Sequence, residues 1–323
     1  MVWKRLPWSI CIAVAFSLTA AFGQSMPVVG FLNSASPSGY AQMAAAFREG
    51  LKQTGFVPGE SVQIEYRWAN DSYDKLPELV QQLVQRRVAV IFANSPSIPH
   101  AKNATNSIPI VFTSGDDPVR LGFVASLNRP GGNLTGVAIM SNELAAKRLS
   151  LLRDLVPNTR RVAVLINTDF GPSSGFSADV ENAAKALPVD VTFLKAGSDR
   201  EIEEAFALMS TDRPDALLIG PGPFLDSRRS LLISLAQNSS IPTGYETRAS
   251  AEAGGLTSYG ANVADAYRQA GTYVGRILKG EKPSEIPVAL ATKVEFIING
   301  KTAKTLNLQV NPNLLSAADE VIE

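Results

Sequence analysis

The chain has 323 residues, which suits two domains of roughly 150 residues with enough chain in each to bury a core. Its 30 basic and 30 acidic side chains cancel, so it lacks the positive charge typical of nucleic-acid-binding proteins. One histidine, His100, and one cysteine, Cys11, are too few for a Cys/His zinc cluster or a disulfide framework.

Residues 1–23 have the pattern of a secretory signal peptide. Lys4 and Arg5 precede an apolar run at Ser9–Phe22, and small residues before Gln24 predict cleavage there. A membrane anchor is the weaker alternative, because the run is shorter than the ~20 residues that span a bilayer. A lipoprotein is rejected because the only cysteine lies inside the apolar run. We therefore expect a periplasmic protein whose mature chain is slightly acidic and free of cysteine.

The next part of the chain alternates apolar runs with helical patterns. Near-continuous apolar and β-branched runs predict strands over Pro27–Leu32, Val88–Ala93, Ile108–Thr113 and Leu134–Met140. The segment Val62–Trp68 alternates as a strand does, with Val62, Ile64 and Tyr66 on one face. Helical patterns lie between them at Tyr40–Thr54 and from Leu76 to Val84. The alternation predicts a parallel sheet with helices on both faces.

A second series repeats this alternation. It predicts helices over Asn142–Leu155, Ser174–Leu187, Asp199–Ser210 and Leu225–Gln237, and strands over Arg161–Asn167, Val189–Leu194, Asp215–Gly220 and Ile241–Tyr245. Two such series predict an α/β fold with two doubly wound parallel-sheet lobes. Right-handed crossovers would place the carboxyl ends of the strands at one edge of each sheet.

The last segment adds elements that neither series needs. It predicts strands over Leu256–Tyr259 and Val294–Ile298, and helices over Val263–Lys279 and Thr302–Leu306. These extra elements suggest that the chain crosses back between the lobes and forms a hinge. We assign residues 24–140 plus 261–283 to lobe 1, and residues 141–260 plus 284–323 to lobe 2.

Short polar groups follow the predicted strands, where ligands bind in open α/β sheets. The candidate binding residues in these loops are Asn33, Ser34, Asn70, Asn94, Ser95, Thr113, Ser114, Asp117, Asn167, Pro221 and Glu246. Tyr40, Tyr245 and Tyr259 lie just beyond strand ends and are candidates for aromatic contacts. Asp117 and Glu246 are the candidates for contacting a ligand ammonium. Each residue has an alternative role in a cap, a turn or the packing, so the prediction depends on the set converging on one cleft.

Motifs for catalysis are weak in this sequence. The glycine-rich segment Arg129–Gly136 lacks phosphate-loop spacing, and Gly220–Pro223 is too rigid to wrap a phosphate. There is no Gly-x-Ser-x-Gly nucleophile elbow, and a Ser/His/Asp triad would have to use His100. We therefore expect no catalytic residues, no metal and no cofactor.

Several segments resemble one family. They are VVGFL at Val28–Leu32, PIVFTSGDDPV at Pro109–Val119, RPGGNLTG at Arg129–Gly136, the segment Ala253–Pro283 and the tail Val294–Glu323. The chain resembles the substrate-binding proteins of ABC transporters with the type I periplasmic-binding fold, in the TrpX-like, tryptophan/tyrosine-binding subfamily. The resemblance implies two lobes joined by a three-strand hinge, with a ligand clamped between them. The sequence departs from aromatic-binding relatives at Asn94–Ser97 and Leu165–Asn167.

The leading hypothesis is an exported, monomeric solute receptor. It would clamp a small molecule, such as an amino acid or a related organic solute, and deliver it to ABC transporter permease subunits. Its membrane contact would run only through the permease, and a role in sensing is a variant of the same hypothesis. The alternative is an exported α/β enzyme such as a hydrolase. A sugar-responsive repressor would need an N-terminal DNA-binding unit where this chain has a signal peptide.

Overall fold

The computed structural model describes residues 26–171 and 173–323. The predicted signal peptide lies outside these ranges. Among the described helices, none combines the length and the apolar character needed to cross a membrane.

The first lobe is built on a parallel sheet. Its strands are β1 (Val28–Asn33), β2 (Gln63–Trp68), β3 (Val90–Asn94), β4 (Ile110–Ser114) and β5 (Leu134–Ala138). Its helices are α1 (Ala41–Gln53), α2 (Leu76–Gln85) and α3 (Ile98–Ala104), with 3-10 turns at Tyr73–Lys75 and Ser95–Ser97. The strand order is β5-β4-β3-β1-β2, and every residue of β3, β4 and β5 is buried because helices and loops cover both faces.

The second lobe repeats the arrangement. Its strands are β6 (Arg161–Ile166), β7 (Asp190–Lys195), β8 (Ala216–Ile219), β9 (Thr243–Tyr245) and β10 (Thr257–Ala261), in the order β10-β9-β8-β6-β7. Its helices are α4 (Ala145–Leu155), α5 (Ser173–Ala186), α6 (Asp199–Thr211), α7 (Pro223–Ser227), α8 (Arg229–Asn238) and α9 (Arg248–Glu252), and a 3-10 turn at Ser141–Leu144 precedes α4.

The last part of the chain contributes to both lobes. Its elements are α10 (Val263–Leu278), a 3-10 turn (Pro283–Glu285), β11 (Ala289–Leu290), β12 (Val294–Asn299), α11 (Gly300–Thr305), α12 (Pro312–Ala317) and β13 (Glu320–Ile322). Helix α10 packs on the first sheet and β11 pairs with β5, whereas β12 and β13 extend the second sheet. The chain therefore crosses between the lobes after β5, after β10 and between β11 and β12.

The predicted two-lobe α/β fold is confirmed, with three differences in detail. Strand β12 runs antiparallel to β10, because it returns from the first lobe and enters the second sheet at the edge where the parallel strands end. Strand β11 lies in the first sheet, although the sequence analysis assigned residues 284–323 to lobe 2. The helix predicted over Leu225–Gln237 is divided at Arg228 into α7 and α8.

Close contact between α1 and α10 fixes the core of the first lobe. The two helices cross where Gly50 and Gly271 leave no side chain between the backbones. A Cβ atom at Gly271 would lie 2.1 Å from the carbonyl oxygen of Phe47, and one at Gly50 would lie 1.8 Å from that of Arg268. The contact holds Phe47 and Tyr267 in an aromatic cluster with Phe92, with ring centroids about 5 Å apart.

We expect Gly271→Ala to destabilise the protein. The new methyl group would force α1 and α10 apart, and overpacking of this kind lowers the free energy of unfolding by ~1–3 kcal/mol. Thermal unfolding followed by circular dichroism measures the effect. The control is Gly132→Ala, because a Cβ atom there meets nothing within 4 Å. Equal melting temperatures for the two variants would contradict the packing.

Candidate functional site

A pocket lies between the two lobes, at the edge where the parallel strands end. The space within it, counting the open solvent at its mouth, is about 480 Å³. Both lobes contribute to its lining, which consists of Tyr40, Asn94, Ser95, Thr113, Gly115, Ile139, Ser141, Phe170, Pro221, Gly222, Pro223, Asp226, Glu246, Thr247, Val263 and Tyr267.

The pocket is lined by six of the candidate residues that the sequence indicated, and the other eight do not line it. Those that line it are Tyr40, Asn94, Ser95, Thr113, Pro221 and Glu246. Those that do not line it are Asn33, Ser34, Asn70, Ser114, Asp117, Asn167, Tyr245 and Tyr259. The strand-end loops therefore converge as predicted, while binding by individual residues stays a prediction.

Hydrogen bonds between neighbouring loops shape the wall in the first lobe. The Asn94 Oδ1 atom accepts from the Ser34 backbone N–H at 3.0 Å, and its Nδ2 donates to Ser34 Oγ at 2.8 Å. Ser95 Oγ accepts from the Gly115 N–H at 2.7 Å. These bonds tie the loops after β1, β3 and β4 together, so the wall is rigid.

The remaining buried candidates hold backbone or support side chains behind the wall. Asn33 accepts from the Ala35 N–H at 2.9 Å and donates to Tyr267 Oη at 3.1 Å. Ser114 donates to the Asp116 carbonyl at 2.8 Å, and Asn167 accepts from the Asp169 N–H at 2.9 Å. These short side chains build turns, the alternative role weighed for each of them.

Four candidates lie away from the pocket. Asn70 is exposed in a left-handed turn, and Asp117 accepts from the Val119 N–H at 2.8 Å within its own loop. The Tyr245 side chain packs in the core of the second lobe. The Tyr259 ring packs edge-on against Phe296, and its carbonyl accepts from a buried arginine.

Glu246 is held by groups of the protein itself. The Ser141 hydroxyl donates to its Oε1, and Arg148 Nη2 lies 3.5 Å from the same oxygen. The Arg148 side chain is 1% exposed and also donates to the carbonyls of Tyr259 and Ser141. Burial lowers the pKa of Arg148, and the nearby Glu246 carboxylate opposes that shift.

Asp226 reaches the pocket from α7 and is only partly satisfied. Its Oδ1 accepts from Thr247 Oγ1 at 2.8 Å and lies 3.3 Å from Arg229 Nη1. Its Oδ2 is buried and has no partner among the described residues. Burial raises the pKa of this carboxyl, while Arg229 and the Thr247 hydroxyl act to lower it.

Aromatic side chains supply the apolar part of the pocket. Burial raises the pKa of the Tyr40 phenol, and the charges of Asp226 and Glu246 across the cleft raise it further. Tyr267 joins it from α10. On the opposite wall Phe170 packs against Gly222, whose φ of 134° suits glycine and where a Cβ atom would lie 2.9 Å from the ring.

A sequence profile for ABC transporter substrate binding proteins matches residues 29–322. This chain belongs to that family. It is 27% identical over 265 residues to a tyrosine-binding protein of Clostridioides difficile strain R20291, covering 81% of this chain and 76% of the relative.

Solved structures share the fold of this family member. One is an ABC domain in complex with L-Trp from Streptococcus pneumoniae, with a TM-score of 0.83, 24% identity, and coverage of 92% of this chain and 100% of that one. Another is a ligand-free, open substrate-binding protein with adhesive properties from Clostridium difficile. Its TM-score is 0.65 at 23% identity, covering 92% of this chain and 99% of that one.

Family membership makes this protein a solute receptor of an ABC transporter. Such proteins bind a small molecule outside the cytoplasm and work with permease subunits, and the family is one of binding proteins rather than enzymes. His100 is half-buried on α3 and does not line the pocket. In residues 26–171 and 173–323, no group of three or more His, Cys, Asp or Glu side chains could hold a metal ion.

Contacts at the mouth of the cleft join the two lobes of this receptor. The Arg228 guanidinium pairs with Asp71 of the first lobe and, through Nε, with Asp199 at 2.7 Å. Its neighbour Arg229 donates to the Gly39 carbonyl at 3.1 Å. The Asp71 side chain is 4% exposed and Arg228 is 27% exposed, so this pair is largely shielded from water. We call the Asp71–Arg228 pair the latch.

Sequence reasoning missed four polar pocket residues, Ser141, Asp226, Thr247 and Tyr267, and the reason is clear for two of them. Tyr267 fits the apolar face of α10, and its ring does pack in the core while its hydroxyl reaches the pocket. Asp226 falls inside a helix predicted as continuous over Leu225–Gln237. The Gly220–Pro223 segment indicates a strand-end loop. Its Pro223 stands in the first turn of α7, where proline is favoured, and so marks a helix that begins at the pocket.

We expect Arg228→Ala to shift the protein toward an open arrangement. Loss of the latch leaves the shielded Asp71 without its cation, which raises the apparent Kd of any ligand that needs the closed state by roughly 3- to 30-fold. Small-angle scattering would show a larger radius of gyration. The matched control is Arg200→Ala, whose ion pair with Glu204 lies exposed on α6. An unchanged radius and Kd would show that the latch contributes nothing to closure.

Proposed function

We propose that this receptor binds an amino acid with an aromatic side chain in the periplasm and delivers it to an ABC permease as a monomer. The observation that carries the proposal is the interlobe pocket, where aromatic rings and hydroxyls share one space with two carboxylates. An apolar pocket with a few convergent polar groups is typical of small-molecule sites.

The lining offers complementary chemistry to each part of such a ligand. Tyr40, Tyr267 and Phe170 provide aromatic surface for a ring, with which offset or edge-on packing is favourable. The carboxylates of Asp226 and Glu246 favour a cationic amino group. The names of the tyrosine-binding relative and of the L-Trp complex agree with this ligand class.

Aromatic amino acids should raise the melting temperature of the purified protein. A ligand at 100 times its Kd adds about 2.7 kcal/mol to the stability of the bound form, which corresponds to a shift of roughly 5–10 °C. Differential scanning fluorimetry with the twenty amino acids, sugars and carboxylic acids measures it. Shifts with sugars alone, or with no amino acid, would overturn the proposed ligand class.

Locking the lobes should block ligand entry. A Cβ atom at Gly39 would lie 3.1 Å from Ser227 Cβ across the cleft, so a small movement brings the pair into the ~3.5–4.5 Å range of disulfides. We expect the oxidised double variant Gly39→Cys/Ser227→Cys to bind no added amino acid, and reductant to restore binding. The single variants are the controls. Binding by the oxidised form at the wild-type rate would contradict a clamp.

A further inference from the structure

Within the proposed function, the two carboxylates of the pocket differ in what they have free to offer a ligand. Glu246 is contacted by the Ser141 hydroxyl and by the guanidinium of Arg148. Since Arg148 is almost completely buried beside it, the charge of Glu246 already has a shielded partner. Glu246 was, with Asp117, a sequence-based candidate for contacting an ammonium group. Its contacts to Ser141 and Arg148 favour a structural role instead, at the junction where the chain leaves the first lobe.

The Asp226 carboxylate is in the opposite situation. Its side chain is 9% exposed, and only Oδ1 has partners, in Thr247 and Arg229. Arg229 directs its remaining contacts at the carbonyls of Asp226 and Gly39. Oδ2 stays buried without a partner among the described residues, in a side chain that lines the pocket. A buried carboxylate oxygen without a donor is costly, so a ligand that brings a donor gains from satisfying it.

The surroundings of Oδ2 favour a cation over a neutral hydroxyl as that donor. Tyr40 and Tyr267 face Asp226 from the first lobe, and both are phenols that can accept a hydrogen bond. Burial raises the pKa of both phenols, and the charge of Asp226 raises it further. The negative charge of Asp226 thus acts on both hydroxyls, and a cation near them would offset it. An ammonium group carries three donors, enough for Oδ2 and for both phenol oxygens.

We propose that Asp226 Oδ2, and not Glu246, anchors the amino group of the ligand, with the hydroxyls of Tyr40 and Tyr267 as the other acceptors. The inference rests on the proposed function and assigns the ammonium group of its ligand to one of the two carboxylates in the pocket. Thr247 acts as a positioning residue, because its hydroxyl holds Oδ1 and thereby turns Oδ2 toward the pocket.

Calorimetric titration with paired ligands tests the assignment. Each pair consists of an aromatic amino acid and the same acid without its amino group, for example L-tyrosine and 3-(4-hydroxyphenyl)propionate. We expect the wild-type protein to prefer the amino acid. Asp226→Asn should weaken amino-acid binding roughly 10- to 100-fold and leave the deamino acid unaffected, so that the preference disappears. Thr247→Val should reduce the preference in the same direction by a smaller factor.

The comparison variants separate this role from general damage to the site. Glu246→Gln should change the affinities for both members of a pair by the same factor and keep the preference. Asp212→Asn, at a side chain that is 85% exposed, should change neither. A preference that survives in Asp226→Asn, or that is lost in Glu246→Gln, overturns the assignment. Failure of the wild-type protein to bind any amino acid would instead overturn the proposed function.

Discussion

The site depends on one constraint, the parallel pairing of the five core strands, β1–β5 in the first sheet and β6–β10 in the second. Parallel strands bring every strand-end loop to the same edge, and the three crossings hold the two edges opposite each other. Polar backbone and side-chain groups gathered there are partly shielded from water and need partners. Most of them find partners within the protein, as Asn94 does with Ser34. The polar groups without a partner in the protein are the ones available to bind a solute.

The sequence predicted the two sheets because their central strands are buried on both faces and stand out as continuous apolar runs. The sequence did not predict the sheet to which β11 belongs or the direction of β12, because both depend on how the chain crosses between the lobes. Strand β11 is two residues long and carries no periodicity, so its pairing with β5 is a tertiary contact. The reversed direction of β12 follows from the route of the chain across the hinge, which local pattern does not encode. The division of a helix at Arg228 likewise accompanies contacts to Asp71 and Asp199.

For the site, the loops were predictable and the directions of the side chains were not. Asn33 and Asn94 occupy equivalent positions at the ends of β1 and β3, yet Asn94 lines the pocket and Asn33 supports Tyr267 from behind. The two side chains point differently because Asn33 accepts from the Ala35 N–H in its own turn, whereas Asn94 accepts from the Ser34 N–H of the neighbouring loop. Tyr267 and Asp226 escaped because they lie on helices, where apolar spacing indicates the core and gives no sign of a hydroxyl or a carboxylate at its rim.

We expect closure of this receptor to depend on two features with opposite effects. The latch joins Asp71 and Arg228 at the mouth of the cleft and favours the closed form whether or not a solute is present. Inside the pocket, Asp226 Oδ2 is buried without a partner among the described residues, a cost to this arrangement of the lobes that a donor from a ligand would remove. Because the two effects oppose each other, a modest interaction with a ligand is enough to shift the population between open and closed states. If the latch were stronger, the protein would close without a solute. If both carboxylate oxygens of Asp226 had partners within the protein, closure would no longer depend on a solute.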